Sequence, residues 1–430
     1  MPLPKALSRS RLLKGWAYQY LGILCLSSFL FADFYFIARL GFEALTAISI
    51  ISPALLLVLT LFLRFGTANT VIVAQNLAAE KSRPVGTSIL SMSFVMIGLT
   101  AFWALFYDNI RNWLGIDRPT WEMVNGYLIF ILPGLIGLGG LTATLSHARG
   151  LGHHSIIFEA MAIVAATNLV LDPILIFGLG PIVAYGINGA AIASGTAIWF
   201  SLAYVLAKGS FFSFRSKIWD LGYCKEIFYL GTPLALMSAL VPLRDLVAIQ
   251  NGSQLAQEAL VALGIGQRFD LGIQLFFFAV VSVITPSIAF SHKKILKADL
   301  LNTLTFSTKL SLIYVLVVVT LLSVFSGDIV SLITDETQVK RLTKYFLLIV
   351  PWSYLFFFAM YIGNAWLTAI GQTRTVALIG VMTMLVQITS MQLLSKWYDF
   401  QGIAWSYLIT GFLSMCLVGY FLRAEIKALI

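Results

Sequence analysis

The sequence predicts an all-α membrane protein with about twelve transmembrane helices in two pseudo-symmetric six-helix lobes. First, 59% of the 430 residues are hydrophobic and only 11% are charged, with a mean hydropathy of +0.90. A water-soluble domain cannot hide that much apolar surface. Second, the apolar residues fall into runs that are long enough to cross a bilayer as helices. Third, the two halves of the chain resemble each other, which indicates an internal repeat.

The apolar runs follow one another with short polar connections. Six runs precede the longest basic connection, at 16–38, 44–78, 85–106, 123–146, 155–178 and 187–207. Six more follow it, at 227–250, 259–291, 304–325, 345–369, 376–394 and 403–422. The predicted divisions are an N-terminal segment (1–14), an N-lobe (15–207), an inter-lobe loop (208–226), a C-lobe (227–422) and a C-terminal tail (423–430).

The internal repeat shows itself as matching motifs at a nearly constant offset. They lie 215 residues apart at 43–47 and 258–262, and 219 residues apart at 150–153 and 369–372. At the second offset Asn168 falls on Gln387. Two six-helix halves run the same way through the membrane, an arrangement typical of transporters that rock between states. Chance similarity between apolar segments is the alternative.

The positive charges follow the predicted membrane topology. Seventeen of the 28 Lys and Arg residues lie on the same side as the N-terminus, and seven lie on the other side. This bias predicts a multi-pass protein of the cell (inner) membrane with both termini in the cytoplasm. It also accounts for the net charge of +9, since no Lys/Arg cluster with interleaved aromatics indicates a nucleic-acid partner.

The fifth apolar run is interrupted by Asn168, Asp172 and Pro173. Asn168 and Asp172 are four residues apart and therefore share one helix face. Pro173 cannot donate a backbone hydrogen bond, so it frees a carbonyl nearby and is a candidate point of helix bending. A carboxylate at membrane depth usually faces a protein cavity, so this segment is a candidate proton or cation site. The alternative is a structural hydrogen bond to a neighbouring helix.

A second acid, Asp33, lies in the first run, and both acids fall in the outer-leaflet part of their spans. The repeat does not duplicate them, because Asp33 falls on Ala248 and Asp172 falls on Met391. If the two acids face one cavity, both cannot be ionised cheaply there. One of them is then expected to take up a proton, or both to share a bound Na⁺.

These residues resemble the MATE family (multidrug and toxic compound extrusion), and the resemblance spans nearly the whole chain. It lies in Ala32-Asp33 with Gly41, in the runs 168–178 and 186–193, and in 369–374 of the second half. The resemblance implies twelve helices in two lobes and export coupled to inward H⁺ or Na⁺. Because the acids lie in the first lobe, the sequence resembles the DinF-like branch of the family.

The resemblance also implies which residues form the coupling site. Matching the family motifs assigns Asp33, Asn168 and Asp172 to it, together with Tyr127 of the fourth span. A hydroxyl of the sixth span often joins, and either Ser194 or Thr196 fits that position.

The C-lobe offers secondary candidates in two neighbouring pairs. Arg244 adjoins Asp245, and Arg268 is two residues from Asp270. Residues so close on a helix point in different directions, so neither pair is a self-contained salt bridge. Structural pairing across helices is expected for them, and substrate contact is the alternative.

The predicted function is secondary active antiport that exports amphipathic, often cationic, organic compounds by rocking-type alternating access. No cofactor and no metal other than Na⁺ at the coupling site is expected, since Cys25, Cys224 and Cys416 are far apart. The expected partners are the lipid bilayer and small organic substrates, and the chain is expected to be a monomer. A flippase for a lipid-linked precursor is the main alternative. An enzyme is not predicted, because no nucleophile–base pair is evident.

Overall fold

The computed structural model describes residues 9–81, 83–98, 118–209, 219–239, 257–333 and 336–429. In its first half the helices are α1 (Arg9–Ala38), α2 (Phe42–Ala78), α3 (Val85–Gly98), α4 (Arg118–Gly150), α5 (Ser155–Phe177) and α6 (Ile187–Lys208). In its second half they are α7 (Leu221–Ala239), α8 (Gln257–Lys293), α9 (Lys297–Ser331), α10 (Thr337–Ala369) and the helical segment Thr373–Leu429. Each overlaps a predicted run, although 99–106 and 240–250 lie outside the described residues.

The segment Thr373–Leu429 is two helices joined at a kink. Tyr398 and Asp399 leave helical geometry there, and Asp399 has a positive φ of 49°. We call the helix before the kink α11 and the helix after it α12. The described residues form twelve helices, which confirms the predicted all-α fold. Eight of the described helical segments, with α11–α12 counted as one, are long and apolar enough to span a bilayer.

The chain divides into two compact units. The first comprises Ala17–Ala235, and the second comprises Leu236–Ile430 with the N-terminal residues up to Trp16. The division falls inside α7. The lobe boundary at 208–226 stays a prediction. In the first unit α4 packs against α2 and α6, and α5 packs against α6. In the second unit α10 packs against α8, α9 and the α11–α12 segment.

The internal repeat is visible in the turns that end the helices. After α2, the N–H of Lys81 donates to the Asn76 carbonyl at 2.9 Å, and after α8 the N–H of Leu296 donates to the Ser291 carbonyl at 2.9 Å. The left-handed position of each turn, at 80 and 295, has the same φ of 58°. The turns after α4 and α10 likewise match, with positive φ at Gly152 and Gly371. These offsets of 215 and 219 are those predicted from the motifs.

Small residues let α6 approach its neighbours at backbone distance. A Cβ atom added to Gly189 would lie 2.3 Å from the carbonyl oxygen of Leu175 in α5. One added to Gly134 in α4 would lie 2.4 Å from the Cα of Gly195 in α6. Because these contacts are between backbones, no side-chain rotation can relieve them. They fix the position of the α6 segment next to Ser194.

Gly134→Ala is expected to destabilise the protein, because α4 and α6 must separate to admit the new methyl group. Overpacking of this kind costs about 1–3 kcal/mol. The measurement is thermal unfolding of the purified protein in detergent. Gly272→Ala is the matched control, since a Cβ at the exposed Gly272 of α8 meets nothing within 4 Å. Equal unfolding temperatures for the two variants would contradict the proposed close packing.

Candidate functional site

A chain of hydrogen bonds joins side chains of α1, α5 and α6 inside the first unit. Asn168 Nδ2 lies 3.1 Å from Asp172 Oδ1 and 3.2 Å from Ser194 Oγ, and donates to them. Ser194 Oγ in turn donates to Asp33 Oδ2 at 3.1 Å. The structure therefore brings together Asp33, Asn168, Asp172 and Ser194, which we call the four-residue cluster.

The spacing of residues in α5 explains how it presents two members of the cluster. Asn168 and Asp172 are fully enclosed, on the same face as Val164 and Ile176. The intervening Leu169 is 56% exposed and faces away from the helix bundle. The four-residue spacing thus places both polar groups inward and leaves an apolar outer face, as the sequence predicts. The structure describes α5 as a single helix that continues through Pro173.

Three oxygen atoms of the cluster have no hydrogen-bond donor among the described residues, although each is fully enclosed. They are Asp33 Oδ1, Asn168 Oδ1 and Asp172 Oδ2. The carboxyl groups of Asp33 and Asp172 are also close enough to be hydrogen-bond partners when one of them is protonated. Two adjacent carboxylates in a buried site repel each other when both are ionised. The cluster is therefore short of positive charge and has acceptor oxygens ready for a proton or a small cation.

The other predicted residues of the first unit differ in their distance from the cluster. Tyr127 of α4 is buried close to both carboxylates. Thr196 is exposed, and its hydroxyl donates to the carbonyl of Ile192 in its own helix at 2.8 Å. Of the two hydroxyls that the sequence left open, the structure places Ser194 in the cluster and Thr196 outside it.

Ser194→Ala is expected to lower coupled transport, because it removes the donor to Asp33 and the acceptor for Asn168. Hydrogen bonds to charged groups contribute about 1.5–3 kcal/mol, which corresponds to a fall of about tenfold or more. The measurement is the initial rate of transport in reconstituted vesicles. Thr196→Ala is the matched control and should transport at the wild-type rate. A larger loss in Thr196→Ala than in Ser194→Ala would contradict the assignment.

Of the secondary candidates in the C-lobe, the structure describes Asp270 and Arg268. Asp270 is buried in α8, where it accepts hydrogen bonds from the Tyr354 hydroxyl at 2.7 Å and from Gln274 Nε2 at 2.8 Å. Arg268 is exposed, and no ion pair joins it to Asp270 among the residues that the structure describes. Tyr354 belongs to α10, so Asp270 contacts a second helix, and its structural role stays a prediction. Arg244 and Asp245 lie outside the described residues.

The second unit repeats part of the cluster geometry without its acids. Gln387 of α11 is buried, and its Nε2 donates to Ser406 Oγ of α12 at 3.0 Å. In both halves an amide of the fifth helix thus contacts a serine of the sixth, as Asn168 contacts Ser194 in the first unit. At the position equivalent to Asp172 stands Met391, which is fully buried. The amide–serine contact is therefore found in both halves, whereas the acids at positions 33 and 172 have no acidic equivalent in the second half.

A second buried polar network in the first unit was not predicted from the sequence. Asn69 Nδ2 of α2 donates to Ser146 Oγ at 2.7 Å, and Asn69 Oδ1 accepts from Ser88 Oγ at 3.0 Å and from the Tyr223 hydroxyl. All four residues are buried, and they join α2, α3, α4 and α7. Since donors and acceptors are matched at Asn69, the network is structural. An amide inside a strongly apolar run was the available signal.

Comparison with known proteins identifies the family. The MatE family model matches residues 20–174 and again residues 233–391, which is once in each half of the repeat. The chain belongs to the MATE family. Because this is a family of transporters, the buried acids of the first unit belong to a member of a membrane transport family.

Several MATE relatives have names that indicate transport. The chain is 26% identical over 348 residues to a FAD transporter of Shewanella oneidensis, covering 78% of this chain and 76% of the relative. It is 25% identical to the multidrug export protein MepA of Staphylococcus aureus, covering 91% of this chain and 89% of that one. Among solved structures, the Vibrio cholerae MATE transporter VcmN in its bent form matches with a TM-score of 0.89 over 97% of both chains, at 21% identity. That likeness shows the fold.

Proposed function

We propose that this MATE transporter is a secondary active antiporter of the DinF-like branch. It exports amphipathic, often cationic, organic compounds in exchange for inward movement of H⁺ or Na⁺. The observation that carries the proposal is the set of three enclosed acceptor oxygens in the four-residue cluster, beside two adjacent carboxylates. Such a site is costly inside a membrane unless a cation occupies it for part of the transport cycle.

The proposed cycle uses the cluster as a cation switch. Loading of the site by a proton or by Na⁺ removes the repulsion between Asp33 and Asp172. Unloading restores that repulsion and weakens the packing of α1 against α5 and α6. A cation that binds one conformation better than another shifts the population toward it. Alternating access by rocking of the lobes follows from this coupling.

The substrate class is proposed from the relatives named above, which include a multidrug exporter. The flippase alternative requires deep arginines to hold phosphate groups. The sequence offers Arg64, Arg244 and Arg268 for this role; Arg64 is half-buried, Arg268 is exposed, and Arg244 lies outside the described residues. The names of the relatives favour export of organic compounds over this alternative.

We further propose that the protein is a monomer in the cell (inner) membrane with both termini in the cytoplasm. The distribution of Lys and Arg supports this orientation. No cofactor is assigned, and the coupling cation is the only ion that the cluster is proposed to hold.

The proposal is tested with purified protein in liposomes that contain a fluorescent organic cation. An inward-directed H⁺ gradient is imposed first, and an inward-directed Na⁺ gradient is imposed in a separate experiment. At least one of the two gradients should drive the dye across the membrane faster than in protein-free liposomes. Dye movement that is unaffected by either gradient would contradict antiport.

A further inference from the structure

The turn between α8 and α9 exposes an apolar side chain among basic ones. Ile295 is 79% exposed, and Leu296 beside it is also exposed. His292, Lys293, Lys294 and Lys297 surround them, and all but Lys294 are exposed. We call residues 292–297 the α8–α9 tip. It joins two candidate spans, Val261–Lys293 and Lys297–Ser331, so it lies at a surface of the membrane.

The backbone of the tip is strained at its most exposed residue. Ile295 has a φ of 58°, a left-handed conformation that glycine adopts freely and that a β-branched side chain adopts with difficulty. The equivalent turn after α2 has the same φ at Glu80, with a charged residue in that place. Stability alone would favour glycine at 295. An exposed isoleucine at this position therefore indicates that its apolar side chain has a functional role other than stabilising the turn.

The charges of the tip are nearly all of one sign. Lys294 Nζ lies 5.6 Å from the centre of the Phe290 ring, which holds this lysine along the end of α8. Asp299, in the first turn of α9, is the nearest acid in sequence. A basic cluster next to a membrane span attracts anionic headgroups, and an apolar side chain at its centre can enter the headgroup layer.

We propose that the α8–α9 tip docks onto anionic phospholipid headgroups of the bilayer that the chain spans. The exposed Lys293 and Lys297 contact the headgroup phosphates, Lys294 adds to the positive charge beside them, and Ile295 inserts between the headgroups. A basic surface with an inserted apolar residue fits a charged lipid surface better than a soluble protein. The proposal is independent of the coupling cation and of the exported compound.

The test places an environment-sensitive fluorophore at the end of the tip. Ile295→Cys is made in the full chain with Cys25→Ser, Cys224→Ala and Cys416→Ser, labelled with NBD, and reconstituted in phosphatidylcholine nanodiscs with or without phosphatidylglycerol. We expect a blue-shifted and brighter emission only when phosphatidylglycerol is present. Glu80→Cys, labelled in the same background, is the matched control because it occupies the equivalent turn. It should show no such dependence.

A second variant tests the role of the charges. Adding Lys293→Gln, Lys294→Gln and Lys297→Gln should abolish the effect of phosphatidylglycerol on the label at 295. A label at 295 that is equally solvent-exposed in both lipids, or equally blue-shifted in both, would overturn the proposal. So would a dependence on phosphatidylglycerol that survives loss of the three lysines. Thermal unfolding of each variant establishes that it remains folded.

Discussion

Asp33→Asn and Asp172→Asn are each expected to reduce gradient-driven export to the level of protein-free liposomes. The asparagine keeps the shape of the side chain and can still accept the hydrogen bond from Ser194 or Asn168. It cannot take up a proton, and its neutral oxygen attracts a cation weakly. The cluster would then contain a single carboxylate, so the repulsion that cation binding relieves is lost.

The measurement is the initial rate of dye transport under the gradient that drives the wild type. Asp270→Asn is the control, because Asp270 is a buried membrane carboxylate held by Tyr354 and Gln274 in the other unit. It should retain transport, as its predicted structural role requires. All three variants should be present in the membrane at wild-type amounts. Normal transport in both Asp33→Asn and Asp172→Asn would exclude the cluster as the coupling site.

Asn168→Ala is expected to weaken coupled export much more than Gln387→Ala. Asn168 donates to both Asp172 and Ser194, whereas the side-chain amide of Gln387 donates to Ser406. Loss of hydrogen bonds to a charged group costs about 1.5–3 kcal/mol, so a fall of about tenfold or more is expected for Asn168→Ala. The Asn168→Ala variant should need a steeper cation gradient than the wild type to reach the same export rate.

The two amides form a matched comparison because they occupy equivalent positions of the repeat. Both are buried, both lie on the fifth helix of their half, and both contact a serine of the sixth. A purely structural role for Asn168 predicts similar losses of stability and transport in the two variants. Equal effects on transport would indicate that both halves share the coupling.

Much of the fold follows from the sequence because the membrane imposes simple rules. Apolar runs of sufficient length must be helices, since backbone groups have no other hydrogen-bond partners in lipid. The repeat was visible in motifs that contain the glycines at 152 and 371, which take the left-handed position of their turns. The equivalent turn at Glu80 and Ile295 was not predictable in the same way, because neither residue type signals a positive φ.

The candidate site was only partly predictable. Asp33, Asn168 and Asp172 stand out because polar groups are rare in apolar spans. Ser194 and Thr196 differ by two positions on one helix, and the direction in which α6 faces decides between them. That direction depends on the contact of Gly189 with α5, which is a tertiary feature. The contact of Tyr354 with Asp270 was not predicted, because a tyrosine in an apolar run carries no distinctive signal.

The central claim is that cation occupancy of the four-residue cluster is exchanged for substrate. The most direct test imposes only a substrate gradient across liposomes and records internal pH and Na⁺ with fluorescent indicators. Since coupling is reciprocal, substrate leaving on one side must draw H⁺ or Na⁺ in the opposite direction. The account predicts such cation movement for the wild type and none for Asp33→Asn. Substrate flux with no accompanying cation, or equal cation flux in Asp33→Asn, would contradict it.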